Sequence, residues 1–442
     1  MILWLYSTLM VLMQPLVRYK LLKRSVQEPG YGVDVSARFG HYTCAALPAD
    51  GRTVWVHAVS LGETRAAATL LAALRKLQPR MRLLLTHGTA TGYAEGRKLL
   101  QAGDVQTWQP WDTPAAVAAF LNHFNPAIGV LIETEIWPNL LAVCQQQKVP
   151  VALANARLNN KSLRWAQVLG GLSRPAFAAL NAVWAQTEAD AHRLRQLGAR
   201  VQGVFGNIKF DASPDAGQIN VGKTWRGCVA KPVVMLASSR DEEELALLQV
   251  LRALGQVASN IQWLIVPRHP QRFDAVAALI ESQGFAVWRR SADETNRANG
   301  LERTAATLWL GDTLGEMAVY YSLADVALLG GSFEPLGGQN LIEAAACACT
   351  VVMGPHTFNF ADAAILALQA GAARRVSDMA QAVQLAMQLA ASPAQRSSMA
   401  LAAERFAKSN QGAADRTARA VLGMLPLSSR QITDAKRPDA LG

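Results

Sequence analysis

The chain has 442 residues, 51% of them hydrophobic, which predicts about two domains with ample cores. Its five cysteines are scattered and form no CxxC pair, so the sequence has no zinc signature and fits a reducing compartment. A net charge of +10 calls for an acidic partner. No RNA-binding signature or long basic run with interleaved aromatics occurs, so phosphorylated substrates or anionic lipid are favoured over nucleic acid.

The N-terminal run, residues 1–17, is apolar apart from Ser7, Thr8 and Gln14, and four basic residues follow it within 18–24. A cleaved signal peptide carries its positive charge before the apolar run, so this order indicates a retained segment. The run is at the short end of the roughly 17–25 residues that a spanning helix needs. The sequence therefore predicts a membrane-anchor helix over 1–24 with the rest of the chain cytoplasmic. A helix lying in the bilayer interface and a buried N-terminal helix are the alternatives.

Short apolar runs alternate with helical patterns along the rest of the chain, in two blocks separated by a stretch with little periodicity. This rhythm is typical of βαβ units with parallel sheets. The sequence predicts an α/β fold with two Rossmann-like, doubly wound domains at 25–210 and 233–427, a linker at 211–232 and a polar tail at 428–442. The predicted strands are 54–59, 82–86, 128–132, 151–154, 182–186 and 202–205 in the first domain, and 233–237, 262–266, 286–288, 307–310, 326–329 and 350–353 in the second.

The stretch VWVHAVSLGETR at 54–65 predicts a buried strand, a polar turn and the start of a helix. Open α/β sheets place their chemistry at such carboxyl ends of strands, so Glu63 is a candidate catalytic carboxylate. The helix start is expected to favour its ionised form. Ser60 and Glu63 also match a capping box, in which the Glu side chain only satisfies a backbone N–H group.

Candidates for binding a phosphate group occur in the second half of the chain. A Gly-rich stretch at 330–338 leads into a helical pattern, whose start suits an anion and places Glu343 one turn inside. The alternative is a tight turn with Asn340 as an ordinary N-cap. Arg268, in PRHP at the end of a predicted strand, suits phosphate or carboxylate, although a surface Arg is common there. No GxGxxG or Walker A motif is present, which argues against a dinucleotide enzyme and a P-loop.

A series of short motifs, in order and over nearly the whole chain, resembles the Kdo transferases of Gram-negative lipopolysaccharide synthesis, where Kdo is 3-deoxy-D-manno-octulosonic acid. The motifs are HAVSLGET (57–64), IETEIWPNL (132–140), NARL (155–158), GNIKFD (206–211), ASSRDEEE (237–244), VPRHPQRF (266–273), GDTLGEM (311–317), GGSFEPLGGQNLIEAA (330–345) and GPHTFNF (354–360). The polar stretch 291–304 is insertion-like and is predicted to be a surface loop.

The resemblance implies a GT-B glycosyltransferase with its active site in the cleft between the two domains. Such an enzyme transfers Kdo from CMP-Kdo to lipid IVA, the lipid A precursor, with inversion at the anomeric carbon. It works at the cytoplasmic face of the inner membrane and needs no metal or other cofactor. Carried over by motif, Glu63 is the base, and Glu133 and Lys209 support the transition state. The implied CMP-binding residues are Arg240, Pro267, Arg268, His269, Gly315, Glu316, Met317, Gly331, Ser332, Asn340, Leu341, Ile342 and Glu343.

Two other functions stay open at this point. One is another membrane-associated GT-B transferase with a different nucleotide sugar, which competition by CMP against UDP would identify. The other is a tethered CMP-sugar-binding protein, which would bind CMP without turnover.

Overall fold

The computed structural model describes residues 1–292 and 307–425. The predicted tail at 428–442, and the predicted surface loop at 291–304 except for its first two residues, lie outside this range. The chain forms two compact units. Unit 1 comprises Met1–Asp211 and Gln411–Gly442, and unit 2 comprises Ala212–Asn410.

Two helices, α1 (Ile2–Leu12) and α2 (Gln14–Gln27), form the N-terminus instead of the single anchor helix predicted over 1–24. The division has a local cause, because Pro15 lies in the first turn of α2 and has no N–H group to donate to the preceding turn. Among the residues that the structure describes, no helix has both the length and the apolar character needed to cross a membrane.

Unit 1 contains a seven-stranded parallel sheet with the order β3-β2-β1-β4-β5-β6-β7. Its strands are β1 (Thr53–His57), β2 (Arg82–His87), β3 (Val105–Trp108), β4 (Ile128–Ile132), β5 (Val151–Ala156), β6 (Ala182–Ala185) and β7 (Val201–Val204). Its helices are α3 (Leu61–Leu77), α4 (Ala90–Arg97), α5 (Pro114–Phe124), α6 (Pro138–Gln146), α7 (Asn160–Val168), α8 (Gly170–Ala179) and α9 (Glu188–Gln196). Helices cover both faces of the sheet, so its central strands are buried apolar runs. The sequence prediction missed β3, an edge strand with only two fully buried residues.

Unit 2 contains a second seven-stranded parallel sheet, with the order β10-β11-β9-β8-β12-β13-β14. Its helices are α10 (Ala216–Gly227), α11 (Glu243–Leu254), α12 (Phe273–Ser282), α13 (Met317–Leu323), α14 (Leu341–Ala346), α15 (Ala361–Gln369), α16 (Met379–Ala391) and α17 (Pro393–Ser409). Its strands are β8 (Val233–Ser239), β9 (Gln262–Pro267), β10 (Ala286–Arg289), β11 (Thr307–Leu310), β12 (Val326–Leu329), β13 (Thr350–Met353) and β14 (Ala373–Arg375).

The unit boundaries differ from the predicted ones at two places. The stretch 211–232, expected to be a linker, contains α10, whose Gly222 packs so closely on α13 that a Cβ there would lie 2.3 Å from the carbonyl oxygen of Val319. Glycine at this contact hides the helix from a periodicity search. The last helix of the described residues, α18 (Ala413–Gly423), belongs to unit 1, where the carboxylate of Asp211 accepts hydrogen bonds from backbone N–H groups at its start.

Candidate functional site

Glu63 lies in the first turn of α3, directly after β1, as predicted. The capping box is present: Ser60 Oγ accepts from the N–H of Glu63 at 3.4 Å, and Glu63 Oε2 accepts from the N–H of Ser60 at 3.4 Å. A shorter hydrogen bond joins Oε2 to the N–H of Val59. Within the described residues, all hydrogen bonds to the Glu63 carboxylate end on Oε2, and Oε1 accepts none.

Burial raises the pKa of Glu63 to about 7, and the negative charges of Glu133 and Glu135 add to this effect. The N–H groups of Val59 and Ser60 act in the opposite direction. The backbone donors at the helix start favour the ionised form of Glu63, as expected, but burial outweighs them, so the pKa is raised and not lowered. A carboxyl group with this pKa both accepts and releases a proton readily near neutral pH.

Glu133 and Lys209 form an ion pair in which Nζ lies 2.8 Å from Oε1. Glu133 follows β4, and Lys209 lies in a 3-10 turn, Ile208–Asp211, after β7. The backbone of Glu133 has φ of +67°, which is uncommon for a residue other than glycine. Such strained residues are frequent at functional sites. Glu133 thus contacts Lys209 directly and acts on Glu63 by its charge, so the structure brings the three predicted catalytic residues together.

Asn155, the first residue of the NARL motif, is a further residue of this region, although the sequence analysis assigned it no specific role. It lies near the end of β5 with φ of +52°, and its Oδ1 accepts a hydrogen bond from the N–H of Ile208 at 3.0 Å. This bond holds the turn that carries Lys209. Its Nδ2 is buried and has no partner among the described residues. An Asn at the carboxyl end of a buried strand is the signal that could have identified it, because Asn tolerates the left-handed conformation.

The candidate CMP-binding residues of unit 2 follow four neighbouring strands of its sheet. Arg240 follows β8, and Pro267 to His269 lie at the end of β9. The range 315–317 follows β11, and 331–343 follows β12. Since the four strands are parallel and adjacent in the order β11-β9-β8-β12, the candidates share one edge of the sheet.

Arginines give this edge a positive character. Burial lowers the pKa of His269, and the nearby charges of Arg240, Arg268 and Arg272 lower it further. Glu316, the predicted residue before α13, accepts a hydrogen bond from Nη2 of Arg290 at 3.1 Å. A cluster of guanidinium groups at the carboxyl ends of strands suits a phosphate group.

The Gly-rich loop after β12 is held by Glu243, a residue that the sequence did not single out. Its carboxylate accepts hydrogen bonds from the N–H groups of Gly331 at 2.8 Å, Arg240 at 3.0 Å and Phe333 at 3.2 Å. Glu243 is only 1% exposed, and burial raises its pKa against the effect of these three donors. The loop and the turn after β8 are thus fixed to one carboxylate. The sequence signal that could have identified Glu243 is the run of consecutive acidic residues at the start of an apolar helix.

Glu244, next in the chain, is fully buried and has a different set of partners. It accepts from Ser239 Oγ at 2.7 Å and from both terminal nitrogens of Arg272, at 2.9 and 3.3 Å. A two-pronged Arg–carboxylate pair is geometrically specific, so Glu244 fixes the segment after Arg268 and His269 to α11.

Several predicted CMP-binding residues have side chains that face the interior. Pro267, Leu341 and Ile342 are buried, so a nucleotide would meet only their backbone. Ser332 is fully buried, and its hydroxyl donates to the carbonyl of Leu329 and accepts from a backbone N–H.

The helix start predicted to bind an anion belongs to a short helix. α14 has six residues, and Asn340 caps it by accepting from the N–H of Ile342 at 3.1 Å. The N-cap alternative is therefore present in the structure, and a helix of this length adds little dipole. Gly331, with φ of +70°, lies in the loop before α14, and the partly exposed Glu343 lies in the first turn of this helix. Among the described residues, no cluster of three or more His, Cys, Asp or Glu side chains could hold a metal ion.

Two parallel-sheet α/β units in one chain are the architecture of the GT-B fold. The solved glycosyltransferase from Rickettsia africae shares this fold, with a TM-score of 0.55 and 13% identity over 88% of this chain and 100% of that one. The family described as 3-deoxy-D-manno-octulosonic-acid transferase (kdotransferase) matches residues 34–212. A 3-deoxy-D-manno-octulosonic acid transferase from Bordetella pertussis is 46% identical over 389 residues, covering 86% of this chain and 89% of the relative. One from Haemophilus influenzae is 29% identical, covering 87% and 89%.

The chain belongs to the 3-deoxy-D-manno-octulosonic acid transferase family and is a glycosyltransferase. The resemblance drawn from its motifs is thereby confirmed.

Proposed function

We propose that this protein transfers Kdo from CMP-Kdo to a hydroxyl group of lipid IVA, with inversion at the anomeric carbon. The observation that carries the proposal is Glu63, whose pKa of about 7 and available Oε1 suit a general base. Membership of the Kdo transferase family supports the donor and the reaction class.

The geometry around Glu63 supports the proposed base step. Oε1 accepts the proton of the acceptor hydroxyl as its oxygen attacks the anomeric carbon, and the bond from that carbon to the CMP phosphate breaks. The hydrogen bonds from Val59 and Ser60 to Oε2 hold the carboxylate in one orientation during this transfer. A positioned base contributes typically about 10²–10⁴-fold to the rate.

Charge compensation is the second contribution. The departing CMP carries the electron pair away on its phosphate, so positive groups fixed beforehand favour the transition state. Lys209, oriented by Glu133, supplies one such group in unit 1. Arg240 and Arg268 supply others in unit 2, on the sheet edge where we place CMP. We propose that the reaction needs no bound metal.

The two N-terminal helices are proposed to lie in the interface of the inner membrane on its cytoplasmic side. The support is an exposed apolar surface on α1, which includes Trp4, Leu5, Leu9 and Leu12. Basic residues of α2 follow it within 18–24. An amphipathic surface with adjacent Lys and Arg binds anionic lipid by burial and by attraction.

The test is an in vitro reaction of the full chain with CMP-Kdo and lipid IVA in detergent, with the products resolved by mass. A product heavier by one or more Kdo groups is expected, and CMP should inhibit more strongly than UDP or UMP. Stronger inhibition by UDP would indicate a different nucleotide sugar. CMP binding without any product would indicate a binding protein and would overturn the proposal.

A further inference from the structure

Arg38 lies in a 3-10 segment, Val35–Phe39, ahead of the first strand of unit 1. Its guanidinium stacks on Trp108 at 3.8 Å from the ring centroid, and its Nη2 donates to the carbonyl oxygen of Gly88 at 3.1 Å. Trp108 is itself fully buried, and its indole N–H donates to the carbonyl of Val33 at 2.7 Å. The guanidinium therefore rests on a rigid platform at the carboxyl ends of β2 and β3.

The charge of Arg38 has no counterion in the part of the chain that the structure describes. Other arginines of unit 1 differ in this respect: Arg75, Arg82 and Arg193 each pair with an aspartate. The Nε of Arg38 is buried and has no acceptor among the described residues, and burial lowers the pKa of Arg38 to about 10. A desolvated guanidinium with an unused donor is costly unless an anion meets it.

Hydrogen bonds connect Arg38 to the proposed base through the backbone of two residues, Gly88 and Val59. It donates to the carbonyl of Gly88, and the N–H of Gly88 donates to the carbonyl of Val59 at 3.2 Å. The N–H of Val59 in turn donates to the carboxylate of Glu63. Thr89, next to Gly88, also bonds to the carbonyl of Val59 through its hydroxyl at 2.9 Å. An anion held by Arg38 would thus lie beside the loop that positions Glu63.

The N-terminal helices lie on the same side of unit 1. The carbonyl of Met10 in α1 accepts from the indole N–H of Trp111 at 2.8 Å, and the N–H of Trp111 donates to the carbonyl of Arg38. Arg18 of α2 lies over the ring of Phe39, 3.8 Å from its centroid. The exposed apolar surface of α1 is therefore tied to the segment that carries Arg38. This arrangement favours an anionic group on an amphiphile over a water-soluble anion.

We propose that Arg38, supported by Trp108, binds a phosphate group of the lipid acceptor and so brings the acceptor hydroxyl to Glu63. This inference rests on the proposed function, because it takes the acceptor to be a phosphorylated glycolipid. It assigns to Arg38 a contact with substrate, whereas Trp108 only positions the guanidinium. A bidentate Arg–phosphate contact supplies orientation as well as affinity.

The experiment compares lipid IVA with its enzymatically dephosphorylated form, using full-length wild type, Arg38→Gln and Arg38→Lys. Wild type should lose roughly 10- to 100-fold in kcat/KM, mainly through KM, when the phosphates are removed, since a charge-assisted hydrogen bond is lost. Arg38→Gln should show the same loss with intact lipid IVA and no further loss with the dephosphorylated form. Arg38→Lys should keep part of the preference, because a lysine supplies charge without the two-pronged geometry.

Arg82→Gln is the matched control. Arg82 is a partly buried arginine of the same sheet that pairs with Asp50 at the opposite end of β2. This variant should lose some thermal stability but keep the full dependence on acceptor phosphate. Binding of each variant to phosphatidylglycerol vesicles distinguishes the acceptor from a membrane headgroup, and it should not change in Arg38→Gln.

The inference would be overturned if the Arg38→Gln enzyme kept the wild-type preference for the phosphorylated acceptor. It would also be overturned if this variant lost vesicle binding while its preference for the phosphorylated acceptor stayed unchanged. If Arg38→Gln does not fold, the reduced preference of Arg38→Lys decides the matter. Equilibrium binding of both acceptor forms without donor is measured in parallel. Absence of turnover in wild type would then refute the proposed function, while the binding comparison still decides the role of Arg38.

Discussion

The ammonium group of Lys209 lies 2.8 Å from the carboxylate of Glu133, and the charge of Glu133 in turn raises the pKa of Glu63. Burial contributes more to the raised pKa than Glu133 does. The three side chains nevertheless form one electrostatic unit. A change of charge at Glu133 or Lys209 must shift the pH at which Glu63 loses its proton.

Glu63→Gln should lower turnover by roughly 10²–10⁴-fold, because the amide cannot accept the proton of the acceptor hydroxyl. The fold should persist, since the amide oxygen still accepts from the N–H of Val59. CMP affinity, measured by calorimetry, should stay near wild type, because we place CMP on unit 2. A Glu63→Gln enzyme with near-normal kcat would show that the residue only caps α3.

Ser60→Ala is the control for the capping role. The substitution removes only the hydrogen bond that Ser60 Oγ accepts, which is 3.4 Å long, so the loss of stability should be at the low end for N-caps, about 0.5–1 kcal/mol. Most of the turnover should remain, because the bond from Val59 still orients Glu63. Urea denaturation and kcat on the same preparation measure the two effects separately.

The value of kcat/KM should rise with pH through an apparent pKa near 7, as Glu63 loses its proton in the free enzyme. Stability should change in the opposite sense. Because the folded-state pKa is raised from 4.5 to about 7, the contribution of Glu63 to stability is complete below about pH 4.5 and is lost as the pH rises through 7. Glu63→Gln should remove both effects, and its melting temperature should exceed that of wild type at pH 8 but not at pH 5.

Neutralising Glu133 should move this pH profile. Glu133→Gln removes a negative charge that raises the pKa of Glu63, so the acidic limb of kcat/KM should shift to lower pH. Lys209→Met should shift it to higher pH, because it removes the cation that contacts Glu133. Lys209→Met should also lower the stability, since it leaves a half-buried carboxylate without this partner. Shifts in the same direction for both variants would contradict the electrostatic link.

The parts of the site that the sequence predicted depend on local signals. Glu63 was identifiable because a buried strand, a polar turn and a helix start follow one another within a few residues. Both parallel sheets were predicted for the same reason, while the edge strand β3 and the glycine-containing helix α10 gave no such pattern.

Other parts of the site depend on contacts between distant segments. Glu243 reaches Gly331 across 88 positions, and Arg38 reaches Gly88 across 50, so neither role is visible in a window of sequence. The raised pKa of Glu63 likewise follows from burial and from Glu133, which only the fold brings near it.

The proposed membrane surface can be tested without deleting α1, which also makes internal contacts. Replacing the exposed Trp4, Leu5 and Leu12 with serine should reduce partitioning to phosphatidylglycerol vesicles by roughly tenfold or more, because buried CH₂ groups drive insertion. Thermal stability should hardly change. The residual binding should decrease with salt, as screened attraction by the basic residues requires. Unchanged partitioning would exclude this surface as the membrane contact.

Tyr6→Phe is the control within the same helix. The hydroxyl of Tyr6 donates to the buried carboxylate of Asp112 at 2.9 Å. Losing this hydrogen bond should cost about 1.5–3 kcal/mol of stability while leaving the apolar surface and vesicle binding intact. The two sets of variants thus separate the exposed apolar side of α1 from its protein-facing side.

Donor binding should depend on Arg268 and Glu343, and more indirectly on Glu243. Arg268→Ala and Glu343→Ala should each weaken CMP binding by about 1.5–3 kcal/mol in calorimetry, with little change in melting temperature, since both side chains are partly exposed. Glu243→Gln should weaken CMP binding and also lower the stability, because the amide nitrogen cannot accept from the N–H groups that the carboxylate now holds. Unchanged CMP affinity in the two alanine variants would remove this sheet edge from donor binding. Reduced stability of Glu243→Gln with unchanged CMP affinity would show instead that the loop it holds does not contact the nucleotide.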